Sequence, residues 1–384
     1  MSFTHFNHDK ARRDANIVRN ELIHDPILRV TIVVTIISLF FARPRLADIN
    51  THTLYSVAAM LVLIQIFSYL HVLDLVAYKL TSVADDTRKL NVVFTILATL
   101  AGMFLGNDIT VLTLIPLYLK VAKQFKLPQI LPVTLIGMGA NIGAAFTPWG
   151  NPHNIFVVSH FNISPDVFFY WSLPYLIAAM IVALIVFKFI PRQHVPTQTT
   201  ANIHVKRRMT LLTVLAFFVF FLGIFKIVPI IVPLVIAIVL ALLINPRILL
   251  KIDYALLLTF TLFFIFVSDI QQIPWVLSVI DMTVHSATST YWTSIIASQF
   301  MSNVPATILV GKFTSFAHAL LLGSNIGGFG SMIGSMANML VLKTFNKHAT
   351  VDKKTFFKQW TLMQFIGLAI LSLIGWALVI IHIN

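Results

Sequence analysis

The sequence predicts an all-α polytopic membrane protein made of two inverted-topology repeats, each with a re-entrant helical hairpin and a broken transmembrane helix: about nine full crossings plus two hairpins. Three observations predict it. The first is composition: 58% of the 384 residues are hydrophobic and only 11% charged, against about 25% charged in soluble domains, and the mean hydropathy is +0.88. The second is an internal repeat. Asn141-Ile142-Gly143 is followed by Thr147, Gly150, Asn151 and Asn154, and Asn325-Ile326-Gly327 is followed at the same offsets by Ser331, Gly334, Ser335 and Asn338. The third is a polar break ahead of each stretch. Gly106-Asn107-Asp108 precedes Pro116 in one half, and Ser302-Asn303 precedes Pro305 in the other.

Along the chain, residues 1–26 form a polar, basic segment with no apolar core and no small-residue cleavage site, so no removable signal peptide is expected. Apolar segments follow at 27–41, 52–80, 90–123, 129–160, 170–191, 209–227, 229–244, 254–281, 290–316, 318–343 and 357–381. An uninterrupted span needs about 20 apolar residues, so 27–41 and 229–244 are short and must borrow flanking residues. In segment 90–123 the first arm, 92–105, is expected to reach about 21 Å at 1.5 Å per residue. That distance ends near the membrane middle, so the polar tip reads as the turn of a hairpin that enters and leaves on one side. Segment 290–316, with Ser302-Asn303 at its tip, is read the same way. Irregular backbone at that depth is tolerated only when it is buried in protein or lines a cavity.

Pro44-Arg45 precedes the second span, and Pro246-Arg247 precedes the corresponding span in the other half. The first repeat is therefore set at 27–191 and the second at 229–384. Between them, 192–228 comprises a basic cytoplasmic linker and one extra transmembrane helix. That single added crossing makes the second repeat inverted. With the N-terminus cytoplasmic, all but four of the 27 Lys and Arg residues fall on the cytoplasmic side; the four are Arg43, Arg45, Lys226 and Lys312. This meets the positive-inside rule. It accounts for the net charge of +13 without invoking nucleic acid.

The candidate site residues follow from the breaks. A carboxylate within an apolar segment is costly and functional by default, so Asp108 is read either as an ion or proton ligand or as a helix N-cap. Ser302 and Asn303 hold the equivalent place with no carboxylate. Thr110, Thr113 and Thr307 add hydroxyls one turn away, or bond their own helix carbonyls. Gly143, Gly150, Gly327, Gly328, Gly330 and Gly334 disfavour a continuous helix by about 1 kcal/mol each relative to Ala, and Pro148 and Pro152 remove N–H donors. Unwound backbone there would offer carbonyls to a cation and N–H groups to an anion. Close helix packing through small residues is the alternative account. His153 lies inside the first stretch, as a proton-linked group or a structural hydrogen bonder. Asp269 marks a helix end, and His71, Asp74 and His318 are weaker candidates. The chain has no Cys, which excludes disulfides and thiolate metal sites, and no His-Glu-x-x-His, so it is not read as an enzyme.

These motifs resemble the ion transporter superfamily, which includes citrate transporters, divalent anion:sodium symporters and arsenite permeases. The likeness rests on Gly106-Asn107-Asp108 with Pro116, Ala140-Asn141-Ile142-Gly143, Gly150-Asn151-Pro152-His153-Asn154, Ser302-Asn303-Val304-Pro305-Ala306 and Asn325-Ile326-Gly327-Gly328, and it covers the chain from about residue 27. It implies substrate and coupling ions meeting at the midplane, alternating access, and often a dimer. By position, Asn107, Asn303 and the stretches 141–151 and 325–335 would form the sites. Sodium-coupled dicarboxylate members show Ser-Asn-Thr at both tips, whereas this chain has Gly-Asn-Asp and Ser-Asn-Val, and an Asp at the first tip is closer to the arsenite-permease pattern.

The resulting expectation is a cation-coupled secondary transporter of a small anion, a carboxylate or oxyanion, with sodium or a proton as coupling ion. The binding set is Asn107, Asp108, Asn141, Gly143, Thr147, Asn151, Asn154, Ser302, Asn303, Asn325, Gly327, Ser331, Ser335 and Asn338, with Asp108 and His153 proton-linked. No cofactor and no metal beyond sodium are expected. The partners are the anion, membrane lipid and a second copy of the chain. The location is the inner (plasma) membrane, with the N-terminus cytoplasmic and the C-terminus outside. The alternative is a sodium/proton antiporter or an arsenite efflux permease on the same scaffold.

Overall fold

The computed structural model describes residues 22–23, 25–81, 84–195 and 205–381. Most of the 1–26 segment and part of the basic linker, 196–204, therefore lie outside the described residues. Among the described residues the chain is helical, with one isolated β-bridge between Asp86 and His194.

Two compact units divide the chain across the repeats rather than between them: residues 1–69 with 208–280, and residues 70–207 with 281–384. The first unit contains α1 (Pro26–Ser38), α2 (Thr51–Tyr69), α8 (Arg207–Ile224) from its second residue, α9 (Ile231–Ile244) and α10 (Tyr254–Ile270). Pro26 at the first helical position and Asp25, whose carboxylate accepts from Leu28 N at 2.7 Å, start α1. Asp253 starts α10 in the same way, accepting from Leu256 N.

The second unit contains α3 (Val72–Thr81), α4 (Thr87–Phe125), α5 (Ile130–Phe146), α6 (Pro152–Phe161), α7 (Pro165–Val186), α12 (Ala287–Met301), α13 (Asn303–Gly311), α14 (Ala317–Ile326), α15 (Met336–His348) and α16 (Lys353–Ile381). The helix α11 (Pro274–Val284) bridges the division.

Both hairpins are present. In α4 the helix breaks at Gly106, whose φ of 71° and ψ of 165° favour a residue without Cβ. Phe94 and Tyr118, equidistant from that break, meet edge to face with centroids 5.4 Å apart. In the second half the break is Ser302, at φ 73° and ψ 150°. Thr290 and Thr314, again equidistant, bring their hydroxyls to 2.8 Å. A non-glycine residue in this region costs on the order of 1–3 kcal/mol, so Ser302 is held there by its surroundings. The two arms of α4, 87–105 and 107–125, each run about 28 Å. That is longer than the 21 Å expected for the first, because Asp86 caps the helix at Lys89 N and starts it five residues earlier.

Two long sequence segments are each divided. Segment 52–80 is α2 plus α3, separated at His71, which takes a left-handed φ of 53°. Segment 254–281 is α10 plus α11, separated by a turn before Pro274, which opens α11 as its first residue. Among the described residues, five helices are long and apolar enough to cross a membrane, and α1, α5, α9 and α10 are shorter apolar helices.

Backbones approach closely where each hairpin packs on its broken helix. A Cβ on Gly139 would lie 2.9 Å from Thr95 O, and one on Gly323 would lie 2.6 Å from Tyr291 O. The two glycines each stand two residues ahead of the repeated Asn, so the repeat extends to the packing. Around them, Ile142, Tyr175, Tyr291, Ile326, Phe329 and Leu371 form a buried core. The outer faces of α7 and α16 present Ile177, Ile181, Ile366 and Leu373, as helices bordering lipid do.

Candidate functional site

The site lies within the second unit, where the breaks of α5–α6 and α14–α15 meet the two hairpin tips. After α5 the chain leaves the helix at Thr147, extended at ψ 147°, and re-enters at Pro152 behind Asn151. After α14 it leaves at Gly327 and re-enters at Met336, where Ser335 Oγ accepts from Ala337 N. Each broken stretch is tied to the first arm of its own hairpin by the same bond. Thr147 Oγ1 donates to Met103 O at 2.8 Å, and Ser331 Oγ donates to Gln299 O at 3.0 Å.

Four buried asparagines then link the two halves in mirror-related pairs. Asn154 Nδ2 donates to Ala144 O at 3.1 Å and Thr147 O at 2.9 Å. Only the nitrogen of an amide can donate, so Asn154 must turn its oxygen the other way. That oxygen accepts from Asn325 Nδ2 at 2.8 Å. In the other half, Asn338 Nδ2 donates to Gly328 O and Ser331 O, each at 2.9 Å, and Asn338 Oδ1 accepts from Asn141 Nδ2 at 3.4 Å. Asn141 and Asn325 are the repeated Asn-Ile-Gly residues, and Asn154 and Asn338 are their counterparts thirteen positions on.

The same logic orients the next layer. With its nitrogen committed, Asn141 presents Oδ1 to Asn107 Nδ2 at 2.8 Å, which joins the first hairpin tip to the network. Asn325 likewise presents Oδ1, but its donors are Asn151 Nδ2 at 3.3 Å and His153 Nε2 at 3.2 Å. His153 is therefore protonated on Nε2. Its Nδ1 is buried, with no hydrogen-bond partner among the described residues. Here the symmetry ends. Asn303, the counterpart of Asn107, makes no side-chain bond to Asn325, and its backbone N–H instead donates to Gly334 O at 3.0 Å. The second hairpin tip thus brings a buried amide to the site with its side chain outside the network.

The remaining expected residues are placed as follows. Gly106 occupies the break itself, so Asp108 is the second residue of the second arm and not its N-cap. Half-buried there, its side chain sits at the positive end of that helix. Thr110 and Thr307 bond Gly106 O and Asn303 O, carbonyls of their own arms. Gly143 and Gly327 are packing positions: a Cβ on Gly327 would lie 2.6 Å from Ser298 Oγ, and one on Gly143 would overlap the Thr99 carbonyl. His71 and Asp74 pair with each other at 2.8 Å on an exposed turn, and the His318 ring packs on Trp171, so neither joins the site. Asp269 belongs to the other unit.

One site residue was not anticipated. Gln299 stitches the second broken stretch, donating from Nε2 to Gly327 O at 2.8 Å and Phe329 O at 3.1 Å and accepting from Ser331 N at 2.9 Å. An amide inside the apolar arm, one turn before the tip, was the available sign of it. Its first-half counterpart is Met103, which has no such capacity.

The chemistry on offer is that of amides, whose oxygen suits a cation and whose N–H groups suit an anion; Asn303 brings such a side chain to the tip outside the network that engages Asn141, Asn154, Asn325 and Asn338. Among the described residues there is no group of three or more His, Cys, Asp or Glu side chains suited to a metal ion.

Comparison with known proteins agrees with this architecture. Residues 22–317 match a family described as citrate transporter. The chain is 26% identical over 303 residues to the inner membrane protein YbiR of Escherichia coli, covering 78% of this chain and 81% of that one. It is 27% identical over 304 residues to the uncharacterized transporter MJ0456 of Methanocaldococcus jannaschii, covering 78% and 83%. A crystal structure of the Alcanivorax borkumensis YdaH transporter, described as having an unusual topology, superposes with a TM-score of 0.58 at 11% identity, covering 96% of this chain and 98% of the other. That likeness shows the fold alone. The family match spans most of the chain, and this multi-pass membrane transporter therefore belongs to the citrate transporter family.

Proposed function

We propose that the protein is a cation-coupled secondary transporter of a small anion, a carboxylate or an oxyanion, working by alternating access. The observation that carries this reading is the mirror-related pairing of Asn141 with Asn338 and of Asn325 with Asn154, beside two hairpin tips. Paired broken helices with backbone and amide groups turned inward are how transporters hold substrate and ions without fixed charge. Asp108 supplies the reason for coupling. A carboxylate and an anionic substrate repel each other in a low-dielectric site unless a sodium ion or a proton intervenes. The proposed setting is the inner membrane, N-terminus cytoplasmic and C-terminus outside, as a homodimer. The naming of the Escherichia coli relative as an inner membrane protein supports that location.

The test is uptake into proteoliposomes of labelled citrate, succinate, phosphate and arsenite under imposed sodium or proton gradients. Accumulation of one anion that collapses with the cation gradient supports the symporter. No anion accumulation in any condition, with sodium-driven proton movement in the same vesicles, overturns it and favours the second reading, an antiporter or arsenite permease. That reading draws on Asp108 at the first tip, where the second half has Val304. Asp108→Asn separates them further: it abolishes cation exchange in an antiporter but leaves uncoupled anion uptake in a symporter.

A further inference from the structure

A hollow of about 280 Å³ lies in the second unit, where α5, α7 and α16 pack around three small residues, Ala179, Ala183 and Gly367. It is apart from the candidate site, and none of the site asparagines lines it. Its walls are apolar. Of the lining side chains only Thr134 carries a hydroxyl, amide or charge, and its Oγ1 donates to Ile130 O at 2.9 Å. A small ion would find little there to replace its water, whereas a hydrocarbon chain suits the walls. The rim is open to the side, where Phe189, Ile366 and Ile370 are exposed.

The hollow has the length of one bilayer leaflet. Along α5 it runs from Leu131 to Ile142, and on the α7 side from Phe189 back to Ala179. At 1.5 Å per residue each run is about 15 Å, half of a hydrocarbon core about 30 Å thick. Ile142 and Phe329, both buried, close the inner end. The other end is basic. Lys188 is exposed between the lining residues Val186 and Phe189, and Arg192 is exposed four residues on. Lys354 and Lys358 are exposed in the first turns of α16, ahead of the lining residue Met363. Arg88 reaches over from α4, donating to Lys188 O at 2.9 Å and to Ile190 O at 3.1 Å. The carboxylates at this end have other work: Asp85 pairs with Lys89 at 2.7 Å, Asp86 accepts from Lys89 N, and Asp352 accepts from Thr355 N.

We propose that this hollow binds one anionic phospholipid, an acyl chain filling it while the phosphate headgroup rests against Lys188 and Lys358. Basic pockets between transmembrane helices recognise acidic lipid headgroups in this way. A zwitterionic lipid supplies the chain without the net charge. A second copy of the protein suits the basic rim less, since the chain carries 27 Lys and Arg against 14 Asp and Glu. The tail of the seated lipid ends against Ile142, next to Asn141, and against Phe329, whose carbonyl Gln299 holds. Lipid occupancy therefore bears on the packing behind both broken helices. The site stands independently of the substrate reading above.

The experiment is native mass spectrometry of the full chain in mild detergent, with phosphatidylglycerol or phosphatidylcholine added. The expected result is retention of one phosphatidylglycerol per chain in preference to phosphatidylcholine. Val182→Trp, which fills the hollow from its wall, abolishes that retention. Lys188→Glu with Lys358→Glu, both at exposed positions, weakens phosphatidylglycerol retention by roughly tenfold or more. No retained phospholipid, equal retention of the two lipids by the wild type, or full retention in Val182→Trp overturns the proposal. So does a lipid-free dimer that Val182→Trp splits into monomers, which would put a second copy on this face. Should Val182→Trp fail to fold, the charge-reversed chain decides, and an unchanged preference for phosphatidylglycerol overturns the proposal.

Discussion

At the residue scale, amide orientation decides what each asparagine does. Asn154 and Asn338 are structural, since each spends its nitrogen on two carbonyls of an unwound stretch. Asn303 is in a corresponding tip but outside that network. Asn154→Ala should therefore remove three buried hydrogen bonds, to Ala144 O, to Thr147 O and from Asn325 Nδ2, costing about 2–3 kcal/mol of stability, seen as a lowered midpoint of thermal unfolding in detergent. Asn303→Ala should leave that midpoint near the wild-type value and abolish substrate accumulation in proteoliposomes. Equal destabilisation by both would remove the distinction between structural and ligand amides. The correspondence of these residues between the halves was legible in the sequence from their recurrence at fixed offsets. Their pairing across halves was not, because an Asn side chain carries donor and acceptor alike and only its neighbours say which way it points.

At the element scale, the hairpins rest on contacts between residues far apart in sequence. In one straight helix Thr290 and Thr314 would be about 36 Å apart, yet their hydroxyls meet at 2.8 Å. The chain has no Cys, so Thr290→Cys with Thr314→Cys should form an intramolecular disulfide in membranes on mild oxidation, given the short Cβ separation such bonds need. A reporter protease site at the tip would show the two arms remaining joined after cleavage, and arms that separate would contradict the hairpin.

Capping sets a second test at this scale. Asp352, ahead of α16, has its carboxyl held below the usual range by the backbone N–H and hydroxyl of Thr355. A depressed folded-state value stabilises above the unfolded value, near 3.9 for Asp, and that stabilisation is lost as pH falls through the folded value. The difference in unfolding midpoint between wild type and Asp352→Ala should be present at pH 7 and vanish in acid. A difference that is constant with pH would sink the capping account. The hairpin tips were legible because Gly-Asn-Asp and Ser-Asn interrupt apolar runs. The divisions of segments 52–80 and 254–281 were not, since His71 is no helix breaker by type and Gln271-Gln272 resemble an ordinary polar helix end.

At the scale of the whole molecule, the two units cut across the two repeats, and each unit takes the corresponding part of both. Single cysteines at 226 and 353 probe the proposed orientation. In right-side-out vesicles a membrane-impermeant maleimide should label Lys226→Cys and spare Lys353→Cys until the membrane is opened; the reverse pattern would invert the topology.

What the sequence by itself determined is the class of molecule, the internal repeat and the positions proposed for the site. These follow from hydrophobicity, charge placement and the recurrence of Asn, Gly and Ser/Thr at fixed spacing, all local or periodic properties. Only the tertiary structure decided that Asn325 takes its donors from Asn151 and His153 while Asn141 takes its own from Asn107, that Gln299 closes one unwound stretch where the first half has Met103, and that Asp269 meets Ser38. Each of these depends on which donor reaches which acceptor across more than one element, and that distance exists only once the chain has folded.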